Sequence, residues 1–114
     1  MMNKEKLRQR FLRDPLPRRF GSLSATLGRI SSSARQSSSP TVVAELLDEA
    51  KHFIECTAAD ADPDTASDLI DIQRLITLWQ KSWATASADK MQRIILSVQA
   101  KTWSDKVLEI SGLL

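Results

Sequence analysis

One cysteine, one histidine, three glycines and no tyrosine among 114 residues remove several functional classes at once. The single thiol, Cys56, cannot close an internal disulfide and suits a reducing compartment. Gly21 and Gly28 do not form a phosphate loop, which needs clustered glycines so that backbone N–H groups can close on an anion. The longest run of large apolar side chains, Ile94-Ile95-Leu96, falls far short of the ~20 residues a membrane span requires. The first residues likewise lack the apolar stretch of a signal peptide, so the expected location is cytoplasmic. Few glycines, no tyrosine and abundant Ala, Leu, Gln, Lys and Glu favour helix over sheet.

What is present is an unequal charge distribution. Residues 1–36 carry nine basic side chains against two acidic ones, whereas residues 37–114 carry seven against twelve. Such asymmetry suits either a basic arm for an anionic partner or an arm lying on its own acidic body.

Apolar spacing then divides the chain. Residues 3–13 form about three turns in which Leu7 and Phe11 share a face beside Leu12. Pro15 and Pro17 are expected to make a stiff extended elbow, giving a basic arm over residues 1–17 and a single helical-bundle domain over 18–114. Phe20, Leu23, Leu27, Ile30 and Ala34 make a narrow seam on a weak helix over about 20–35, with Gly21, Ala25 and Gly28 small enough for close approach to a neighbour.

Three main helices follow, over about 40–58, 63–84 and 88–110, completing an all-α antiparallel bundle. The first starts at Ser39-Pro40 and buries Val42, Val43, Leu46, Leu47, Ala50, Phe53, Ile54 and Thr57. The second starts at Asp62-Pro63, and Leu69, Ile72, Ile76, Trp79 and Trp83 form its stripe. Ile70, Leu75 and Leu78 widen that stripe, so this helix is expected to be the one the others wrap, with Trp79 in the core. The third is capped by Ser87, turns Met91, Ile94, Ile95 and Val98 inward, continues with Trp103, Val107 and Ile110, and ends at Gly112.

Two constellations bear on chemistry. Asp60, Asp62, Asp64, Asp68 and Asp71 fall at positions 1, 3, 5, 9 and 12 of a calcium-loop window. Thr65 stands where that loop turns on glycine, Asp71 replaces the closing glutamate, and Pro63 begins a helix, so an acidic helix N-terminus accounts for every residue. His52 and Cys56 are four residues apart on one helix, but nucleophilic catalysis needs a third orienting group and an oxyanion site. No catalytic residue, cofactor or metal is expected.

Three segments carry a resemblance: RDPLPRRFGSLSATLGRI (residues 13–30), DEAKHFIE (48–55) and the ending WSDKVLEISGLL (103–114). Together they resemble a family of small uncharacterised cyanobacterial proteins with an RDPLP segment followed by leucines, and a terminal SGLL. The resemblance implies a bacterial cytosol and a place for residues 13–30 inside the domain, and it brings no activity with it.

The resulting expectation is a non-enzymatic protein-interaction or regulatory module. Its contact surface is expected at Arg13, Arg18, Arg19, Phe20, Leu23, Leu27 and Ile30, because a segment too weak to stand alone needs something to dock on. The alternative is a nucleic-acid binder using the basic arm, which has the charge but lacks interleaved aromatics and any recognisable module. A membrane-surface helix over residues 4–13 and a transit peptide over residues 1–39 are further readings. Self-association into a homodimer is also in keeping with so small a core.

Overall fold

The helix with the most extensive packing is built from the segment with the weakest intrinsic helix propensity. The computed structural model describes residues 4–112, which form five helices: α1 (Lys4–Arg13), α2 (Leu16–Ala34), α3 (Pro40–Ala58), α4 (Pro63–Ala86) and α5 (Lys90–Ser111). Within α2, Leu23, Leu27, Ile30 and Ala34 are fully buried and Phe20 nearly so. Packing on both flanks compensates for Gly21, Gly28 and the serine run, as tertiary burial overrides propensity.

The expected fold class holds at the level of an all-α bundle, but not in its count of three main helices beside a weak one and an arm. The N-terminal arm contains α1, which rests against α3. α2 begins at Leu16, four residues before the expected start. Asp14 and Pro15 make the break there, Pro15 being extended at φ −62° and ψ 155°. Its carbonyl accepts the backbone N–H groups of Arg18 and Arg19, and Pro17 lies in the first turn, where a missing N–H costs no helical hydrogen bond. Leu7, Phe11 and Leu114, expected to continue apolar faces, lie outside the described side chains.

Helices α2 to α5 form a ring in which each packs on the next and α5 closes back on α2. Cross-helix pairs show that every neighbour is antiparallel. Arg19 meets Asp60 while Arg29 meets Glu49; Gln73 meets Glu55 while Trp83 meets Pro40; Ser24 meets Ser104 while Ser31 meets Ser97. The interior is filled by Leu23, Leu27, Ile30, Leu47, Ile54, Leu69, Ile76, Leu96 and Val107.

The most extensive contact, α2 on α5, is made by small polar side chains. Ser24 Oγ donates to the Ser104 carbonyl and Ser104 Oγ to the Ser24 carbonyl, at 3.1 and 2.9 Å. Two turns along, Ser31 and Ser97 repeat the exchange at 2.8 and 2.6 Å, and Arg35 Nε donates to Ser97 Oγ at 2.7 Å. Each serine hydroxyl of this seam therefore has its partner, as burial of a polar group demands.

This seam moves the expected centre. α4 buries Leu69, Ile72, Ile76 and Trp83, but its widening residues Ile70, Leu75 and Leu78 are exposed, so α4 is an edge of the ring. Trp79 is half-buried, whereas Trp83 and Trp103 are core. α5 turns Leu96, Ser97, Ala100, Trp103, Ser104 and Val107 inward, while Met91, Ile95 and Val98 face out. Its cap is Asp89, whose carboxylate accepts the Met91 N–H at 2.9 Å, and Ser87 lies one residue past α4. Val42 is likewise exposed on α3. Gly112 ends α5 in the left-handed conformation at φ 73°.

The close approach of α2 to α5 does not depend on Gly28. A Cβ built there would meet its nearest neighbour, Ser104 Oγ, at an ordinary 3.8 Å. Gly28→Ala is therefore expected to stabilise the protein by about 0.5–1 kcal/mol through backbone entropy, raising the thermal midpoint by a few degrees. Ser104→Leu, on the facing side of the same contact, should overpack the seam and cost about 1–3 kcal/mol. Urea unfolding of the two variants checks both signs.

Candidate partner-binding surface

The contact residues expected from sequence divide into two groups. Phe20, Leu23, Leu27 and Ile30 fill the protein's own core, while Arg13 and Arg18 are exposed. Arg19 is buried. Its Nη1 donates to the Cys56 carbonyl at 3.2 Å and to the Asp60 carboxylate at 2.8 Å, placing a guanidinium at the C-terminal turn of α3, where the helix dipole favours a cation. Arg29 reaches Glu49 at 3.8 Å. Part of the basic N-terminal charge is thus answered inside the molecule.

The chemical constellations do not assemble. His52 lies 3.6 Å from Asp48 and 3.5 Å from Glu55, too long for firm hydrogen bonds. Neither contact involves the half-buried Cys56, whose carbonyl serves Arg19. The aspartates from residue 64 onward are on α4 rather than in a loop, so they are spread along one face of a helix instead of closing on a single point. Among the described residues no three His, Cys, Asp or Glu side chains converge on a metal-sized point. Asp62 is the α4 N-cap: hydrogen bonds from the Thr65 side chain and backbone N–H hold its carboxyl below the usual 3.8.

Two open grooves flank α4. One of 450 Å³ runs between the start of α3 and the end of α4, where Trp83 Nε1 donates to the Pro40 carbonyl at 2.8 Å. The other, of 470 Å³, is lined by Lys51, Gln73, Arg74, Thr77 and Leu78. Neither gathers a nucleophile, a base and an oxyanion donor.

The feature that stands out lies on the outer side of α4 and α5. These helices touch each other only lightly, and Trp79 Nε1 bridges them to Gln99 Oε1 at 2.7 Å. That bond sets their register. Leu75 and Leu78 lie four and one residues before Trp79, and Ile95 and Val98 lie four and one before Gln99. Because the helices are antiparallel, the same offsets bring both pairs to the same outer side. Met91 extends the row one turn further along α5.

The exposures are 60% for Leu78, 62% for Met91, 53% for Val98, 40% for Leu75 and 37% for Ile95. Scattered single apolar residues need no explanation, but five that share one face form a patch of the kind found at interaction sites. We call this face the shelf.

Sequence reasoning had named all five side chains and assigned each to the core. The available signal was their excess: α4 has more apolar positions than one core-facing stripe can hold. No protein-family model matches the chain, and no curated protein or solved structure is significantly similar to it. Among the described residues no helix is long and apolar enough to cross a membrane.

Two outcomes follow from the charged residues. Asp60→Ala removes a main partner of the buried Arg19 and, with Asp60 itself more than half exposed, should cost about 1–2 kcal/mol in chemical denaturation. Arg19→Met should cost less, since it removes the buried charge along with its partner's role. Asp62, with its folded-state pKa lowered, stabilises the protein above its unfolded value, and that contribution disappears as pH falls through the folded value. Asp62→Ala should therefore lower the thermal midpoint at pH 7, and the gap from wild type should close below about pH 3.8.

Proposed function

We propose that this protein is a non-enzymatic helical interaction module that binds another protein through the α4–α5 shelf. The observation that carries this reading is the shared exposure of Leu75, Leu78, Met91, Ile95 and Val98 on one face, beside helices that hold each other only lightly. An apolar face between two parallel ridges suits helix-in-groove recognition, in which side chains at three- and four-residue steps supply the anchors. The nucleic-acid reading gains less support, because α1 packs on α3, whose charged side chains are mostly acidic, and because Arg19 and Arg29 pair internally.

The test is site-specific photo-crosslinking in cells of the source organism. A photoreactive residue at position 78 or 98 should give discrete protein adducts, and one at exposed Ala25 on α2 should not. Equal labelling from all three positions would refute the shelf as the contact surface. Leu78→Glu with Val98→Glu should abolish the adducts formed from position 95 while leaving helicity unchanged, since both side chains are already exposed.

A further inference from the structure

The shelf does not end with its apolar residues. On α4 the steps of four and three that join Leu75 and Leu78 continue backward through Asp71, Asp68 and Asp64. On α5 the same steps run from Met91, Ile95 and Val98 forward through Thr102, Asp105 and Glu109. Since the helices are antiparallel, both acidic extensions lie at the same end, away from the loop at residues 87–89. The outer face is therefore one continuous strip, mainly apolar in the half near that loop, where Ser82 and Thr85 finish the α4 row, and acidic in the half beyond it.

Basic side chains answer part of the acidic half. Lys106 lies 4.0 Å from Asp68, Arg74 is 3.9 Å from Asp71, and Lys101 is 2.7 Å from Asp105. Asp64, Asp68, Asp71, Asp105 and Glu109 still outnumber Arg74, Lys101 and Lys106 by five to three. Exposed pairs of this kind hold little energy and can exchange partners.

Resting on the interaction reading above, we infer that the shelf's occupant is an amphipathic helix of another protein, apolar along one half of its contacting stripe and rich in Lys or Arg along the other. Charge and area together choose this occupant over a second copy of the chain. If two copies overlapped fully about a two-fold axis across the strip, the acidic half of each would cover the apolar half of the other, stranding carboxylates on apolar surface, and about an axis along the strip carboxylates would face carboxylates. Sliding the copies until only apolar halves meet leaves a contact about 18 Å long and 20 Å across. That is roughly 700 Å² over both partners, below the ~1,200 Å² at which specific interfaces begin. A basic amphipathic helix uses the whole strip and meets each half with its complement.

The probe is a fluorescein-labelled 18-residue synthetic helix with leucines on the first two turns of one stripe and lysines on the next two. A counterpart carries glutamate in place of lysine, and a second pair reverses the order of the two halves. Fluorescence anisotropy with the full chain should show micromolar binding of one lysine peptide and at least tenfold weaker binding of its glutamate counterpart. Raising salt from 50 to 300 mM should weaken the lysine peptide severalfold.

Leu78→Glu with Val98→Glu should weaken binding tenfold or more, although it makes the face more acidic; unspecific attraction of cations would strengthen instead. Asp64→Lys with Asp71→Lys should erase the preference for lysine over glutamate.

Equal affinity of the two peptides, or binding unaffected by the Leu78 and Val98 changes, would overturn the inference. So would a dimer at tens of micromolar in sedimentation equilibrium that Val98→Glu abolishes. Shelf-specific crosslinks without a lysine preference would remove only the partner's chemistry, whereas loss of both results would also remove the interaction reading.

Discussion

The exchange of hydroxyl hydrogen bonds between α2 and α5 is the constraint from which the rest of the arrangement follows. Two pairs of serines, Ser24 with Ser104 and Ser31 with Ser97, each donate to the other's backbone carbonyl, and Ala100 lies between them on α5. Small side chains let two helices approach closely, and the reciprocal bonds fix both register and rotation. Once α5 is rotated to present Ser97, Ala100 and Ser104 to α2, its bulkier Met91, Ile95 and Val98 have to face elsewhere. The exposed apolar row is a consequence of where the serines are.

That causal chain also explains what could be read from the sequence. Helices over 40–58 and 63–84 were legible because proline-marked starts at Pro40 and Pro63 coincide with unbroken apolar spacing. The seam through Phe20, Leu23, Leu27 and Ile30 was legible as a face, though not as the centre. Hydropathy gives a serine no credit for burial, so the contact that decides the rotation of α5 looked like solvent-facing polarity. Met91, Ile95 and Val98 then took the inward positions by default. Likewise, Arg19 reads as surface charge in one dimension, and only the meeting of α2 with the end of α3 supplies the carbonyl and carboxylate that let it be buried.

Charge is distributed by the same logic. The basic surplus of the N-terminal third and the acidic surplus of the remainder meet across helix boundaries, with Arg19 on Asp60 and Arg29 on Glu49. A sequence split of this kind is ambiguous between an outward arm and an inward match, and here Arg19 and Arg29 make the inward match. Arg13 and Arg18 remain outward, as does the acidic end of the α4–α5 face, which begins with Asp64 in the first turn of α4, where the helix dipole favours a carboxylate.

The serine seam joins residues that are 66 and 80 positions apart. Helix α2 leaves the ribosome before α3, α4 and α5, yet its most extensive contact is with α5. Closing so long a loop carries an entropic cost that local helix formation cannot offset, which slows folding relative to bundles held by neighbouring helices. During synthesis α2 must wait, as a marginal helix with an apolar seam, until α5 has left the ribosome, and for that interval Phe20, Leu23, Leu27 and Ile30 are the surface a chaperone would meet.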